Sequence, residues 1–88
     1  MRIRKKDDRE EIFEVEKLQR SIKNSAKDMN FSLNSSDVNL ISDEVLKILI
    51  KLHGSDGLTN SYEVIAVTIN VLQKLKFDLI IPSYLNLI

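Results

Sequence analysis

Only two glycines and one proline occur in the 88 residues of this chain. These two residue types interrupt helices and strands most strongly, so a chain with so few of them consists mostly of regular secondary structure. A chain of this length forms one domain and buries only ~60–65% of the surface that its unfolded form exposes. Apolar residues make up 43% of the chain and charged residues 30%, a globular rather than a disordered composition. We therefore expect a single, mostly helical domain over residues 1–88.

The residue types that are missing exclude several kinds of site. Because the chain has no cysteine, it has no disulfide, no thiolate nucleophile and no Cys-ligated zinc or iron–sulfur cluster. The single histidine, His53, argues against histidine-rich metal sites and catalytic triads, and we expect it to cap the end of a helix beside Gly54. Basic and acidic residues number 13 each, and this balance argues against general nucleic-acid binding. We predict no enzymatic activity and no metal site.

The start of the chain does not resemble a secretory signal. Its basic residues are followed by Asp7, Asp8 and Arg9 where a signal would have an apolar run. The most apolar patch, near residues 77–81, is too short to cross a bilayer. We therefore expect a cytoplasmic protein that has no membrane partner.

Two short strands are predicted at the N-terminus, over residues 2–6 and 9–13, around Asp7-Asp8. Aspartate tolerates the positive φ that a two-residue hairpin loop requires. An isolated ribbon of two strands is marginally stable, so this hairpin should lie on a larger body. Its lysines and arginines leave two interpretations open. They form a solvated face balanced by nearby carboxylates, or they meet a polyphosphate.

From Glu14 onward the hydrophobic period becomes that of a helix. The first helix has a stripe of apolar residues spaced three and four apart, namely Val15, Leu18, Ile22, Ala26 and Met29. Ser35 or Ser36 is expected to cap a second helix, which ends at Gly54. The predicted buried face of that helix consists of Ile41, Val45, Ile48, Leu49 and Leu52.

A third helix is predicted to begin at Thr59-Asn60-Ser61, three consecutive residues of types that cap helices. The β-branched residues after it also alternate as in a strand, but the cap and the length favour a helix to about Leu75. The free backbone amides at this cap suit an anion site as well as they suit ordinary capping. The last stretch, Phe77–Ile88, has eight large apolar residues in twelve, and Pro82 shortens or kinks any helix there. This segment packs on its own domain or forms an interface.

The first part of the chain resembles the start of the ATP-cone, the nucleotide-sensing module of ribonucleotide reductases. That family opens with an apolar residue, a spacer and Lys-Arg-x-Gly, followed by a Glu, an aromatic with Asp or Asn, and a downstream Lys-Ile or Lys-Leu. The matching run needs no gap and reads Ile3-Arg4-Lys5-Lys6-Asp7-Asp8-Arg9-Glu10-Glu11-Ile12-Phe13-Glu14-Val15-Glu16-Lys17-Leu18, then Ser21-Ile22. Leu58-Thr59-Asn60-Ser61 falls where the family begins a helix with Ile-Thr-Thr or Ile-Thr-Ser. The resemblance covers roughly residues 3–81.

The resemblance implies an α+β fold, mostly helical, in which a β-hairpin over residues 1–13 packs on a bundle of about four short helices over residues 14–88. It also implies ATP or dATP, alone or accompanied by Mg²⁺, held between the hairpin and the bundle. Nucleotide choice would then control an oligomeric state or a protein partner, without catalysis.

The same resemblance assigns a role to each matching residue. Lys5, Lys6 and Lys17 would reach the phosphates as flexible point charges. Ile3 and Leu18 would wall the adenine. Glu11 and Glu14 match the family's acidic and Asp or Asn positions near the nucleotide, and Asn60 replaces a Thr or Ser at the start of the third helix. The implied nucleotide-binding residues are Ile3, Lys5, Lys6, Glu11, Glu14, Lys17, Leu18 and Asn60.

Several positions depart from the family pattern. Asp8 stands where the hairpin usually has Gly, so the turn is expected to find another conformation. Lys6 replaces Arg and loses the bidentate phosphate contact, and Glu14 replaces Asp or Asn with a longer carboxylate. Residues 79–83 lack the Tyr and Arg of the family's last helix. We expect a free-standing cone that binds nucleotide; the alternative is a cone-shaped interaction or dimerisation module that has lost its ligand and associates through Phe77–Ile88.

Overall fold

The structure, a computed structural model, describes all residues from 1 to 88. It contains three short strands and four helices. In chain order these are β1 (Arg2–Arg4), β2 (Glu10–Ile12), α1 (Val15–Asp28), α2 (Ser35–His53), β3 (Leu58–Asn60), α3 (Ser61–Lys74) and α4 (Ile81–Leu87), with a 3₁₀ turn over Asp78–Ile80. The fold is α+β and mostly helical, with the N-terminal strands packed on the helices, as the sequence predicts.

The three strands form one sheet in the order β2-β1-β3. The antiparallel hairpin places Ile3 opposite Glu11, and the parallel pairing of β1 with β3 places Ile3 beside Thr59. The third strand is a feature that the sequence analysis misses. A strand of three residues is too short to show a two-residue period, and Thr59 and Asn60 belong to residue types that also cap helices.

The hairpin strands are shorter than predicted because the turn between them is longer. The Lys5 N–H donates to the Arg9 carbonyl oxygen at 2.7 Å, and the Asp8 N–H donates to the Lys5 carbonyl oxygen at 3.0 Å. Asp8 has a φ of 69°, in the left-handed region that glycine enters at least cost and aspartate tolerates. The expectation that Asp8 forces the turn into another conformation is therefore wrong, since Asp8 itself adopts the left-handed conformation that glycine favours.

The hydrophobic core lies where α1, α2 and α3 meet beneath the sheet. Most of the predicted buried positions are confirmed, namely Leu18, Ile22 and Ala26 on α1 and Ile41, Val45 and Leu49 on α2. Two predicted positions are wrong, because Met29 and Leu52 are exposed. Met29 follows the last residue of α1 and Leu52 lies in the last turn of α2, where the neighbouring helices no longer cover them.

Both asparagine caps have clear geometry. Asn34 Oδ1 accepts from the Asp37 N–H at 2.8 Å while Asp37 Oδ2 accepts from the Asn34 N–H at 3.2 Å, so the cap of α2 lies just before the predicted serines. Asn60 Oδ1 accepts from the Glu63 N–H at 2.9 Å, which confirms the predicted start of α3. At the other end of α2, Gly54 follows the last helical residue as predicted.

The C-terminal segment folds back onto α1. Pro82 is the second residue of α4, where a missing backbone N–H costs no helical hydrogen bond, so the predicted short helix is confirmed. Ser83 Oγ donates to Asp28 Oδ2 at 2.7 Å and ties the two helices together. None of the four helices combines the length and the apolar character needed to cross a lipid bilayer.

Candidate functional site

A cavity of about 210 Å³ lies between the hairpin and helices α1, α3 and α4. The chain passes from β2 into α1 through only two residues, Phe13 and Glu14, so the hairpin and the first turns of α1 form adjacent walls. The opposite wall is the first turn of α3, with Ser61, Val64 and Ile65 at positions that share one face of a helix. Helix α4 closes the far end.

Six of the eight predicted nucleotide-binding residues line this one cavity. They are Ile3, Lys5, Lys6, Glu14, Lys17 and Leu18. Ile3 and Leu18 are almost fully buried, whereas Lys6, Glu14 and Lys17 are exposed. The wall is therefore apolar at its floor and charged at its rim.

The other two predicted residues do not line the cavity. The Glu11 carboxylate lies 4.0 Å from Lys5 Nζ and 3.5 Å from an Arg9 guanidinium nitrogen, so it forms ion pairs with these two side chains of the hairpin. The Asn60 side chain is used in capping α3, and its neighbour Ser61 contributes to the wall instead. A sequence match fixes the chain position of a residue but not the direction of its side chain.

The rim of the cavity is cationic. Its wall contains three ammonium groups and a single side-chain carboxylate, that of Glu14. The Lys17 Nζ lies 3.4 Å from Glu14 Oε2, and both side chains are more than half exposed, so the pair is weak and open to competition by a ligand. Lys6 has no carboxylate within 4.0 Å, and its Nζ lies 5.8 Å from the centre of the Tyr62 ring. Lys6 and Lys17 are therefore available to an anion, while Lys5 shares its charge with Glu11 at 4.0 Å.

The floor includes a residue that the sequence analysis missed. Tyr84, on α4, is only 2% exposed and lines the cavity. Burial raises the pKa of the Tyr84 phenol, and a hydrogen bond with Thr68 acts in the opposite direction. The spacing of Ser61, Val64 and Ile65 could have shown one face of α3. No sequence signal shows that α4 packs so that Tyr84 lies in the same cavity wall as these residues of α3.

A hydrogen-bonded cluster holds β3 in place beside the cavity. Glu63 Oε1 accepts from Thr59 Oγ1 at 2.6 Å and lies 2.5 Å from His53 Nε2. The hydrogen bond from Thr59 is the main cause that lowers the pKa of the Glu63 carboxyl; burial partly offsets it, and His53 lowers it further. His53 lies at the helix end as predicted, but its partner is a side chain of α3 rather than its own helix terminus. No group of three or more His, Cys, Asp or Glu side chains is arranged to hold a metal ion.

Comparison of the chain with models of protein families, with curated proteins and with solved structures finds no match. What the cavity can bind is therefore decided by the chemistry of the residues in its wall.

Proposed function

We propose that the protein binds an adenine nucleotide, ATP or dATP, in the cavity between the hairpin and the helices. The observation that carries the proposal is one cavity with a buried apolar floor and a rim of three lysines. A nucleotide has a matching apolar part and charged part, because its base is planar and largely apolar while its phosphates are strongly anionic. The resemblance of residues 3–22 to the ATP-cone supports the same ligand.

The size of the cavity suggests how the nucleotide would lie. Pockets that enclose a drug-sized ligand have volumes of about 300–1,000 Å³. At about 210 Å³, this cavity would enclose the base between Ile3 and Leu18 and leave the phosphates outside, among the lysines. Lys17 would exchange the Glu14 carboxylate for a phosphate, and Mg²⁺ would accompany the phosphates without a protein ligand of its own.

We propose a regulatory rather than a catalytic role for the bound nucleotide. Among the wall residues, Glu14 has the only side-chain carboxylate, and it is exposed and paired with Lys17. The nucleotide would act by changing the surface that the domain presents to a second copy or to a protein partner. We assign this role to the cytoplasm, where ATP and dATP are available.

Calorimetric titration of the nucleotide-free protein with ATP and with dATP, with and without Mg²⁺, tests the proposal. We expect one nucleotide per chain with a Kd in the micromolar range or tighter. Replacing both Lys5 and Lys6 by Ala should weaken binding at least about tenfold, because two charge-assisted contacts are lost. The control replaces Lys47 and Lys51 by Ala, which removes the same charge from the exposed side of α2, away from the cavity. The absence of heat with every adenine nucleotide would contradict the proposal.

A second candidate function is protein association through the C-terminal segment. Four of its large apolar side chains stay exposed, at 64% for Leu79, 49% for Leu85, 52% for Leu87 and 42% for Ile88. Sedimentation over a range of concentrations tests this function, and replacing Leu79 and Leu87 by Ser should remove any association. If association persists without nucleotide and no nucleotide binds, the interaction module is the better description.

A further inference from the structure

We infer that Tyr62 is a positioning residue for the nucleotide, because its ring holds the Lys6 ammonium at the rim of the cavity without neutralising it. The inference rests on the proposed function, since this ammonium would contact the phosphates of the same nucleotide. The resemblance to the ATP-cone gives Tyr62 no role, and the residue is not part of the cavity wall. It would act on the ligand through Lys6.

The parallel pairing of β1 with β3 brings Tyr62 close to Lys6. Arg4, the last residue of β1, lies beside Asn60, the last residue of β3. The chain therefore leaves both strands at the same end of the sheet, and Lys6 and Tyr62 each follow two positions later. Ser61 Oγ donates to the Arg4 carbonyl oxygen at 3.5 Å and connects the two segments. The contact between Lys6 and Tyr62 thus follows from the register of the sheet.

The geometry of the contact is that of a cation–π interaction. Lys6 Nζ lies over the Tyr62 ring, 5.8 Å from its centre, and a ring face attracts a cation within about 6 Å. Tyr62 is 66% exposed and takes no part in the hydrophobic core. Core packing therefore does not explain this aromatic residue, whose ring instead faces the ammonium.

A neutral partner distinguishes Lys6 from the other two lysines of the rim. Lys5 Nζ lies 4.0 Å from a Glu11 oxygen and Lys17 Nζ lies 3.4 Å from a Glu14 oxygen, so a phosphate has to compete with a carboxylate at both. Lys6 takes part in no ion pair. An aromatic ring attracts an ammonium through its quadrupole, so the positive charge and the three N–H donors stay available to a phosphate.

Restricting Lys6 in the free protein lowers the cost of binding an anion. A lysine side chain is long and flexible, and it loses conformational entropy when a phosphate fixes it. The contact with Tyr62 limits the positions of the ammonium before the ligand arrives, so part of this loss has already occurred. The benefit is specific to ligands that place an anionic group at the rim.

The test replaces Tyr62 by Leu and by Phe, and titrates each variant with ATP by calorimetry. Tyr62→Leu keeps an apolar side chain but removes the ring, and it should weaken binding about two- to fivefold, as expected for one exposed cation–π contact. Tyr62→Phe keeps the ring face and should bind ATP as the wild type does. In a protein that already carries Lys6→Ala, Tyr62→Leu should have no further effect, because no ammonium is left to hold.

The contact itself can be observed without any nucleotide. The Tyr62 ring current should shift the NMR signals of the Lys6 side-chain protons upfield, and this shift should disappear in Tyr62→Leu and remain in Tyr62→Phe. The absence of the shift in the wild type, or equal weakening of ATP binding by Tyr62→Leu with and without the Lys6 side chain, would overturn the inference and leave the proposed function intact. If the shift is present but ATP does not bind, the proposed function fails and the positioning role fails with it.

Discussion

Glu63 is a carboxylate whose surroundings favour its ionised form. The hydroxyl of Thr59 and the imidazole of His53 both lie within 2.6 Å of one of its oxygens. They hold the pKa of Glu63 below its ordinary value of 4.5, with Thr59 as the larger cause. A carboxyl with a depressed pKa stabilises the fold fully above its ordinary pKa and loses that contribution as the pH falls through the folded-state pKa.

The variant Glu63→Gln should lower the free energy of unfolding by about 1–2 kcal/mol at pH 7, since a charge-assisted hydrogen bond is lost. The difference from the wild type should shrink below pH 4.5, where the wild-type carboxylate also becomes protonated. Urea denaturation at pH 7 and at about pH 3.5 measures both values. The control is Glu16→Gln, which changes an exposed carboxylate without a side-chain partner. An equal loss at the two pH values would mean that the ionisation of Glu63 is irrelevant.

Asp8 carries backbone strain in the hairpin turn. Its φ of 69° is one that glycine adopts at no steric cost, so Asp8→Gly should stabilise the protein by about 0.5 kcal/mol after the greater flexibility of the unfolded chain is counted. Asp7→Gly should have the opposite effect, because the Asp7 carboxylate accepts from the Arg9 N–H and from Arg9 Nε. Thermal unfolding of both variants measures the contrast, and a loss of stability in Asp8→Gly would mean that its side chain matters more than its backbone.

At the scale of single elements, α2 depends on the reciprocal cap at its first turn. Asn34→Ala removes a side-chain acceptor for the Asp37 N–H, and it should cost about 1 kcal/mol. In a domain of this size that loss lowers Tm by about 4–8 °C. Ser35→Ala and Ser36→Ala are the matched controls, because both serines are exposed and the cap precedes them. A larger effect at either serine would place the cap where the sequence alone predicts it.

The helices were predictable for a reason that β3 does not share. A helix of fourteen or nineteen residues repeats its apolar spacing several times, so the stripe through Leu18 and Ile22 is visible without any partner. The strand Leu58–Asn60 is defined by its pairing with the backbone of β1, and α1 and α2 lie between the two strands in the chain. Its residues carry only the signal of a helix cap, and that part of the prediction was correct.

At the scale of the whole molecule, ligand binding should appear as added stability. A ligand that binds only the folded state contributes about 2.7 kcal/mol when its concentration is one hundred times its Kd. ATP should therefore raise the Tm of the wild type and of the variant without Lys47 and Lys51, but not that of the variant without Lys5 and Lys6. Differential scanning fluorimetry measures all three. An equal rise in both double variants would place the ligand outside the proposed cavity.

The candidate site was predictable in part. The residues Ile3 to Leu18 are adjacent in the chain, and a tight passage from β2 into α1 suffices to bring six of the matched side chains into one wall. Glu11 and Asn60 were matched by position, but the Glu11 side chain pairs with Lys5 and Arg9 and the Asn60 side chain caps α3. The presence of Tyr84 in the cavity wall could not be predicted, because it depends on how the C-terminal segment packs on α1.

The parallel pairing of β1 with β3 has a consequence for the order of folding. The hairpin and each helix can form from residues that are close in the chain, but Ile3 and Thr59 are separated by α1 and α2, so we expect them to pair only after these two helices have docked. Contacts between distant residues carry the largest loop-closure entropy and form late. We therefore expect the wall built from β1 and α3 to assemble near the end of folding, and during synthesis the chain can acquire its cavity only once α3 and α4 have emerged.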